Sequence, residues 1–280
     1  MADFSMEDLK TLRERLGTGM VETKNALVEA NGDLEKATEL LRLKGAKGNA
    51  KRADRSTSEG LVAAAHGETA PGESSTTLIE LACETDFVAK GDMFVALGGA
   101  VLAAVVAAGA TTPEEGLAAK AGDQTVAELI SDEAAILGEK VELRRVAVIS
   151  ADKYAVYLHK TNKDLPPQVG VVVGYSGEDA DTARGVAQHI SFADPLYLSR
   201  DDVPTGDVER ERAIVTEIAK GEGKPEAALP KIIEGRINGF FKQVALLDQD
   251  YAKDNKMSVA RVLKDADLTV TGFARFKVGA

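Results

Sequence analysis

The sequence is poor in the side chains most used for nucleophilic and metal chemistry: one cysteine, Cys83, and three histidines, His66, His159 and His189, in 280 residues. A lone thiol closes no internal disulfide, and the N-terminus lacks the basic start, apolar stretch and small-residue cleavage site of a secretory signal, so a reducing cytoplasm is expected. The histidines are widely spaced, without a cysteine or acidic partner at metal-ligand spacing, and no Gly-x-Ser-x-Gly elbow is present. No catalytic residue, metal or cofactor is therefore assigned; the catalytic inventory is thin, and a scaffold or a nucleotide-dependent enzyme stays open on the residues alone. Basic charge is short as well, with 34 Lys and Arg against 45 Asp and Glu. That balance disfavours sequence-independent attraction to nucleic acid or anionic lipid and favours a protein partner or a small ligand. The longest small-apolar run, Gly98 to Ala110, is too short to cross a bilayer.

The remainder has the composition of soluble folded domains, 44% hydrophobic and 28% charged, and enough length for more than one folding unit. Residues 1–44 read as three helices with apolar stripes at Met6, Leu9, Leu12 and Leu16, at Met20, Leu27 and Ala30, and at Leu34, Ala37, Leu40 and Leu41. Ser5 and Asp8 cap the first, Gly17-Thr18-Gly19 breaks it, and Asn31-Gly32-Asp33 turns the chain into the third. Residues 45–55, the end of a stretch with five basic residues, one acid and no apolar period, read as a flexible linker. A first core unit, 56–140, is expected to hold strands Gly60 to Ala65 and Thr76 to Cys83 around a turn over Gly67 to Ser75. A long helix from Asp86 to about Ala108 follows, then two helices opened by Thr112 with Glu115 and Thr125 with Glu128. A second unit, 141–280, is expected to open with a three-strand meander over Val141 to Ile149, Tyr154 to His159 and Val169 to Tyr175, covered by a helix near Asp181 to Ile190. It continues through a helical hairpin over 207–246 to a last strand, Leu268 to Val278. The fold class is α+β.

The nearest approach to a nucleotide site is Val171-Val172-Val173-Gly174-Tyr175-Ser176-Gly177, a strand running into two glycines ahead of a helix. The third glycine of a dinucleotide fingerprint is missing, and Glu178, Asp179 and Asp181 put negative charge where phosphates need amide donors. Gly223-Lys224 is followed by Pro225 and lacks the other glycine of a phosphate loop. Cys83, at the end of an apolar strand, reads as a buried inert thiol, although the helix start beyond it could lower its pKa. Phe87 lies beside Asp86 in the first turn of a helix, where side chains are often exposed. From the residues alone, core packing in line with Phe94, Leu97 and Val101 is the favoured reading.

Four stretches carry a family resemblance. Leu12-Arg13-Glu14-Arg15-Leu16-Gly17-Thr18-Gly19-Met20 with Lys24-Asn25-Ala26-Leu27 is similar to the N-terminal signature of elongation factor Ts, departing at Leu16, where threonine is usual. Glu80-Leu81-Ala82-Cys83-Glu84-Thr85-Asp86-Phe87-Val88-Ala89-Lys90 resembles the second signature, with Ala82 a mild departure, and is much the more specific match. Glu234-Gly235-Arg236 with Phe240, Val244 and Leu246-Leu247, and Val270 to Gly279, resemble later landmarks, so the likeness covers essentially the whole chain.

The resemblance implies a ubiquitin-associated-like N-terminal module, then a two-part core of small antiparallel sheets packed with helices and carrying a hairpin insertion. It also implies a guanine nucleotide exchange factor for elongation factor Tu, acting on its GDP-bound and nucleotide-free forms. By this resemblance Phe87 inserts between helices of the partner that support its phosphate and magnesium site. Thr85, Asp86 and Val88 lie at the same contact, with Met20, Val21, Leu137, Gly138 and His159 as further contacts. Some members extend into a C-terminal helical module, and with the sequence ending at Ala280 that contact is expected to be missing. Members also form dimers through disulfides or hairpins, so a homodimer and a heterotetramer with the partner both stay open.

Overall fold

The computed structural model of the protein describes residues 4–16, 18–70 and 72–280, with the backbone alone at 46, 69 and 70. Helices α1 (Met6–Leu16), α2 (Met20–Glu29) and α3 (Leu34–Arg52) bury Leu9, Leu12, Ala26, Leu27, Ala30, Ala37 and Leu41 in a shared core. The cap on α1 is reciprocal: Ser5 Oγ accepts from Asp8 N at 3.0 Å, and the Asp8 carboxylate accepts from Ser5 N at 2.8 Å. Asn31 and Gly32, both at positive φ, turn the chain into α3, whose start is capped by Asp33. Gly17 of the expected helix break lies outside the described residues. Met6, Met20 and Leu34, placed on the apolar stripes, are exposed instead. Each is the first residue of its helix, and side chains lean toward the helix N-terminus, so these three overhang the end of the bundle.

The next segment builds one sheet and its cover. Strands β1 (Glu59–Ala70) and β2 (Glu73–Cys83) pair antiparallel out to Ala70 opposite Glu73, which makes the hairpin longer and its turn tighter than a 67–75 loop. Helices α4 (Asp86–Ala89), α5 (Asp92–Ala108) and α6 (Pro113–Ala118) follow, then the two-residue strands β3 (Lys120–Ala121) and β4 (Gln124–Thr125), helix α7 (Val126–Leu137) and strand β5 (Val141–Ser150). Thr125 and Glu128 form the full capping box expected of them. At Thr112 the box is split, because Glu115 N bonds back to the Thr112 hydroxyl while the Glu115 carboxylate reaches on to Thr111 N. The single long helix expected from Asp86 is two, since the chain leaves α4 at Lys90 and restarts with Gly91 in an extended N-cap conformation.

Strand β5 does not open a meander with the strands after it; it pairs with β2, giving the order β1-β2-β5. Val141 and Leu143 join Leu61, Ile79, Leu81, Phe94, Leu97, Val101, Val126 and Ile130 in the core beneath α5 and α7. That buried face fixes where the strand goes.

The stretch read as a flexible tether is helical through Arg52, because α3 lies along α7. Asn49 Nδ2 donates to the Ser131 carbonyl at 2.8 Å, and Arg42 Nη2 meets Asp132 Oδ2 at 2.6 Å. Gly45 permits the approach: a Cβ there would stand 2.8 Å from the Ala135 Cβ. A glycine suggestive of flexibility is thus a close-packing position.

Beyond β5 come β6 (Lys153–His159), β7 (Val169–Ser176) and α8 (Ala180–Ala193), then the hairpin of α9 (Thr205–Gly221) and α10 (Leu229–Val244). The chain closes with β8 (Asp250–Tyr251), β9 (Asp254–Ser258), α11 (Val259–Asp265) and β10 (Thr269–Lys277). The last strand completes the second sheet in the order β10-β7-β6, and α8 packs Ala183, Val186, Ala187 and Ile190 onto its outer face. The other faces of the two sheets meet through Val62, Leu78, Val172 and Phe276. Gly170 and Gly174 lie at this junction, where added Cβ atoms would come within 2.4 Å of Val62 and 2.8 Å of Ile149. The architecture is α+β, small antiparallel sheets packed with helices and a projecting helical hairpin. Among the described residues no helix is long and apolar enough to cross a membrane.

Candidate functional site

Phe87 sits on α4, a single helical turn wedged between the end of β2 and the start of α5, and is 73% exposed. Its near neighbours in sequence do the packing instead: Ala89 is fully buried and Val88 rests against the first core, with Phe94 buried deeper in α5. The helix break at Gly91 is the reason, because it uncouples α4 from the periodicity of α5 and frees Phe87 from the Phe94 stripe. The expectation of core packing for Phe87, drawn from that periodicity, is corrected here. Lys90 reaches back over the ring: its ammonium stands 4.2 Å from the ring centroid while also lying 3.8 Å from Asp86.

The turn is braced from below by two carboxylates. Thr85, the N-cap of α4, accepts from Val88 N at 3.4 Å and donates its hydroxyl to Glu139 Oε1 at 2.6 Å. Glu139 Oε2 accepts two backbone amides, Glu84 N at 3.1 Å and Thr85 N at 3.0 Å. In return Glu84 Oε1 accepts Lys140 N at 2.7 Å and its other oxygen meets Arg55 at 3.3 Å. The exit of β2 and the passage from α7 to β5 are therefore stitched to each other by crossed carboxylate–amide bonds. Such charge-assisted bonds are about twice as strong as neutral ones. Glu139 also bears on Cys83, whose thiol is pushed up to about 12, first by burial and next by the Glu139 charge. Cys83 is buried and donates to the Thr85 carbonyl at 3.3 Å, an inert structural thiol despite the helix start beyond it.

Leu137 and Gly138 directly precede Glu139, which holds the Thr85 junction: Leu137 is half-buried, and Gly138 is exposed in a left-handed conformation that ends α7. The other expected contacts stand on separate elements. Met20 and Val21 are exposed at 46% and 71% on the first turn of α2. His159 is exposed at the end of β6, with its Nδ1 3.2 Å from the Tyr157 hydroxyl, on the rim of a groove of about 330 Å³ shared with His189 and Phe192. Glu84, Glu139 and Lys90 were missed by sequence reasoning. Glu84 and Lys90 stood inside the matched signature, whereas Glu139 carries no local mark beyond following the helix-ending Gly138.

The nucleotide-like segment has another role. Gly174 is a sheet-packing position, and the Thr182 amide at the start of α8 is taken at 2.9 Å by Asp179, whose carboxyl this bond holds below the usual range. Among the described residues no group of three His, Cys, Asp or Glu gathers in a way that could hold a metal ion.

Residues 84–280 match the family model described as Elongation factor TS. Along the whole length of both chains, the sequence is 71% identical to an elongation factor Ts of Leifsonia xyli subsp. xyli (strain CTCB07), 70% to one of Clavibacter michiganensis subsp. michiganensis (strain NCPPB 382), and 51% to one of Tropheryma whipplei (strain Twist). The braced Phe87 turn falls inside the matched stretch, the α2 surface is covered by the full-length relatives, and the chain belongs to the elongation factor Ts family.

Proposed function

We propose that this chain is the guanine nucleotide exchange factor of elongation factor Tu, acting in the cytoplasm and making or breaking no covalent bond. It binds the GDP-loaded GTPase, inserts Phe87 between helices that support the phosphate and magnesium site, weakens GDP without touching it, and is displaced when nucleotide rebinds. The observation that carries the wedge is a large aromatic side chain, 73% exposed, on a turn whose N-cap junction is held to one carboxylate by two backbone amides and the Thr85 hydroxyl. Exposed aromatics on rigid supports are the usual anchors of protein interfaces, because they bring large contact area with little motion left to lose. Thr85, Asp86 and Val88 would border that contact, Leu137 and Gly138 would extend it, and Met20, Val21 and His159 would add separate points of attachment.

Linkage sets the cycle: if the factor lowers GDP affinity by some ratio, GDP lowers the factor's affinity by the same ratio. Residues 1–44 would act as a ubiquitin-associated-like docking unit and residues 56–280 as the two-part core that carries the wedge. The test is release of fluorescent GDP from elongation factor Tu with and without the protein. Acceleration at substoichiometric amounts is expected; tight binding with no acceleration would make the chain a scaffold and overturn the reading.

A further inference from the structure

The Phe87 ring is aimed mainly by its backbone, because the side chain is 73% exposed and the group standing over the ring is the flexible Lys90. A four-residue helix holds its own shape poorly, since a first turn fixes several dihedrals for very few hydrogen bonds. The restraint therefore has to come from outside the helix. Glu139, 52 positions further along the chain, supplies it: both of its oxygens are turned onto the junction, to Glu84 N, Thr85 N and the Thr85 hydroxyl. That hydroxyl in turn accepts from Val88 N, so the carboxylate, the cap and the far end of the Phe87 turn form one chain of bonds.

We propose that Glu139 is a positioning residue for nucleotide exchange, locking the Thr85 junction so that Phe87 meets the partner GTPase already in its inserting orientation. The role rests on Phe87 being the wedge. Its oxygens are used within the junction, so it acts through Phe87 and not by touching the partner. Fixing a group before contact removes an ordering cost from the step in which it is used. Loss of Glu139 is therefore expected in the maximal rate of GDP release, with a smaller change in the amount of factor needed for half-saturation, which the other contact surfaces set.

The experiment measures the maximal stimulated rate and the half-saturating concentration for Glu139→Ala, Glu139→Gln, Phe87→Ala and the double variant Glu139→Ala with Phe87→Ala. Glu139→Ala should lower the maximal rate on the order of tenfold, the scale of losing hydrogen bonds to a charged group. Glu139→Gln should lose clearly less than Glu139→Ala, because one amide oxygen can still accept both backbone amides and the amide nitrogen can donate to the Thr85 hydroxyl, with that one bond reversed and the charge removed. The double variant should be no slower than Phe87→Ala alone. Should Glu139→Ala fail to fold, Glu139→Asp, one methylene too short to keep all three bonds, carries the same expectation of a lowered maximal rate. Normal exchange by Phe87→Ala would overturn the wedge and this role together. Slow exchange by Phe87→Ala with an unaffected Glu139→Ala, equal slowing by Glu139→Ala in the Phe87→Ala background, or a Gln variant as slow as the Ala variant would overturn this role alone.

Discussion

Truncating the two phenylalanines of residues 86–108 should move stability by very different amounts, although a single helix would have placed them on one stripe. Phe94 is fully buried among Leu97, Val101 and the first sheet, so Phe94→Ala loses the transfer of a whole ring and leaves a cavity, about 3–5 kcal/mol. Phe87 is 73% exposed, so about a quarter of a full phenylalanine burial is at stake, roughly 0.4–0.8 kcal/mol. The Lys90 contact over the ring adds about 0.5–1 kcal/mol at an exposed site. For chains of this size 1 kcal/mol shifts the melting midpoint by about 2–4 °C, so Phe94→Ala should lose roughly 10 °C and Phe87→Ala a few degrees at most. Thermal unfolding followed by far-UV circular dichroism on both variants checks this. Losses of equal size would mean that Phe87 is a core residue and that the break at Gly91 does not release it.

Gly45→Val places a branched side chain where even a Cβ would stand 2.8 Å from the Ala135 Cβ, so it should cost about 1–3 kcal/mol by forcing α3 off α7, read by urea unfolding; an unchanged midpoint would contradict the packing of the two helices. The isolated protein should bind neither GDP nor GTP, because Asp179 occupies the α8 amide that a phosphate would use, and stoichiometric heats in calorimetry would refute this. His189 is buried, with Nε2 on Gln249 Oε1 at 2.8 Å and Nδ1 accepting from Ala252 N at 3.2 Å, so neither nitrogen has room for a second proton and burial pulls its pKa below 6.5. The unfolded chain then takes up a proton before the folded one. The stability His189 contributes is complete above pH 6.5 and falls as pH drops toward its folded pKa. Between pH 6.5 and 5 the melting midpoint should fall more steeply for the parent than for His189→Gln, and parallel slopes would contradict the assignment.

What was legible in the sequence was mostly local. Ser5 with Asp8, Asp33, and Thr125 with Glu128 cap the helices they were expected to cap, because a cap needs only residues three apart. Long-range pairing was less so: the apolar alternation of Val141 to Ser150 says that it is a strand and not that β2 is its neighbour. The basic, glycine-bearing run after Lys44 has no apolar period because its contacts with α7 are made by Asn49, Arg52 and the bare backbone of Gly45, none of which registers as hydrophobic. At the site, the Thr85–Val88 motif was legible through the resemblance, and its exposure was not, since it depends on Gly91 ending one helix and starting another. Glu139 could not be found from sequence because its partners are more than fifty residues away and two of them are backbone amides.

In the proposed cycle Phe87, presented on a braced turn, is the group that loosens GDP in the partner. The most direct measurement is the maximal rate of fluorescent GDP release from elongation factor Tu at saturating Phe87→Ala, beside the parent protein and beside Phe94→Ala at a temperature where both variants are folded. Truncating an interface anchor commonly costs about 2 kcal/mol or more, so the Phe87→Ala rate should fall at least on the order of thirtyfold while Phe94→Ala stays near the parent. Parent-like release at saturating Phe87→Ala would contradict the claim.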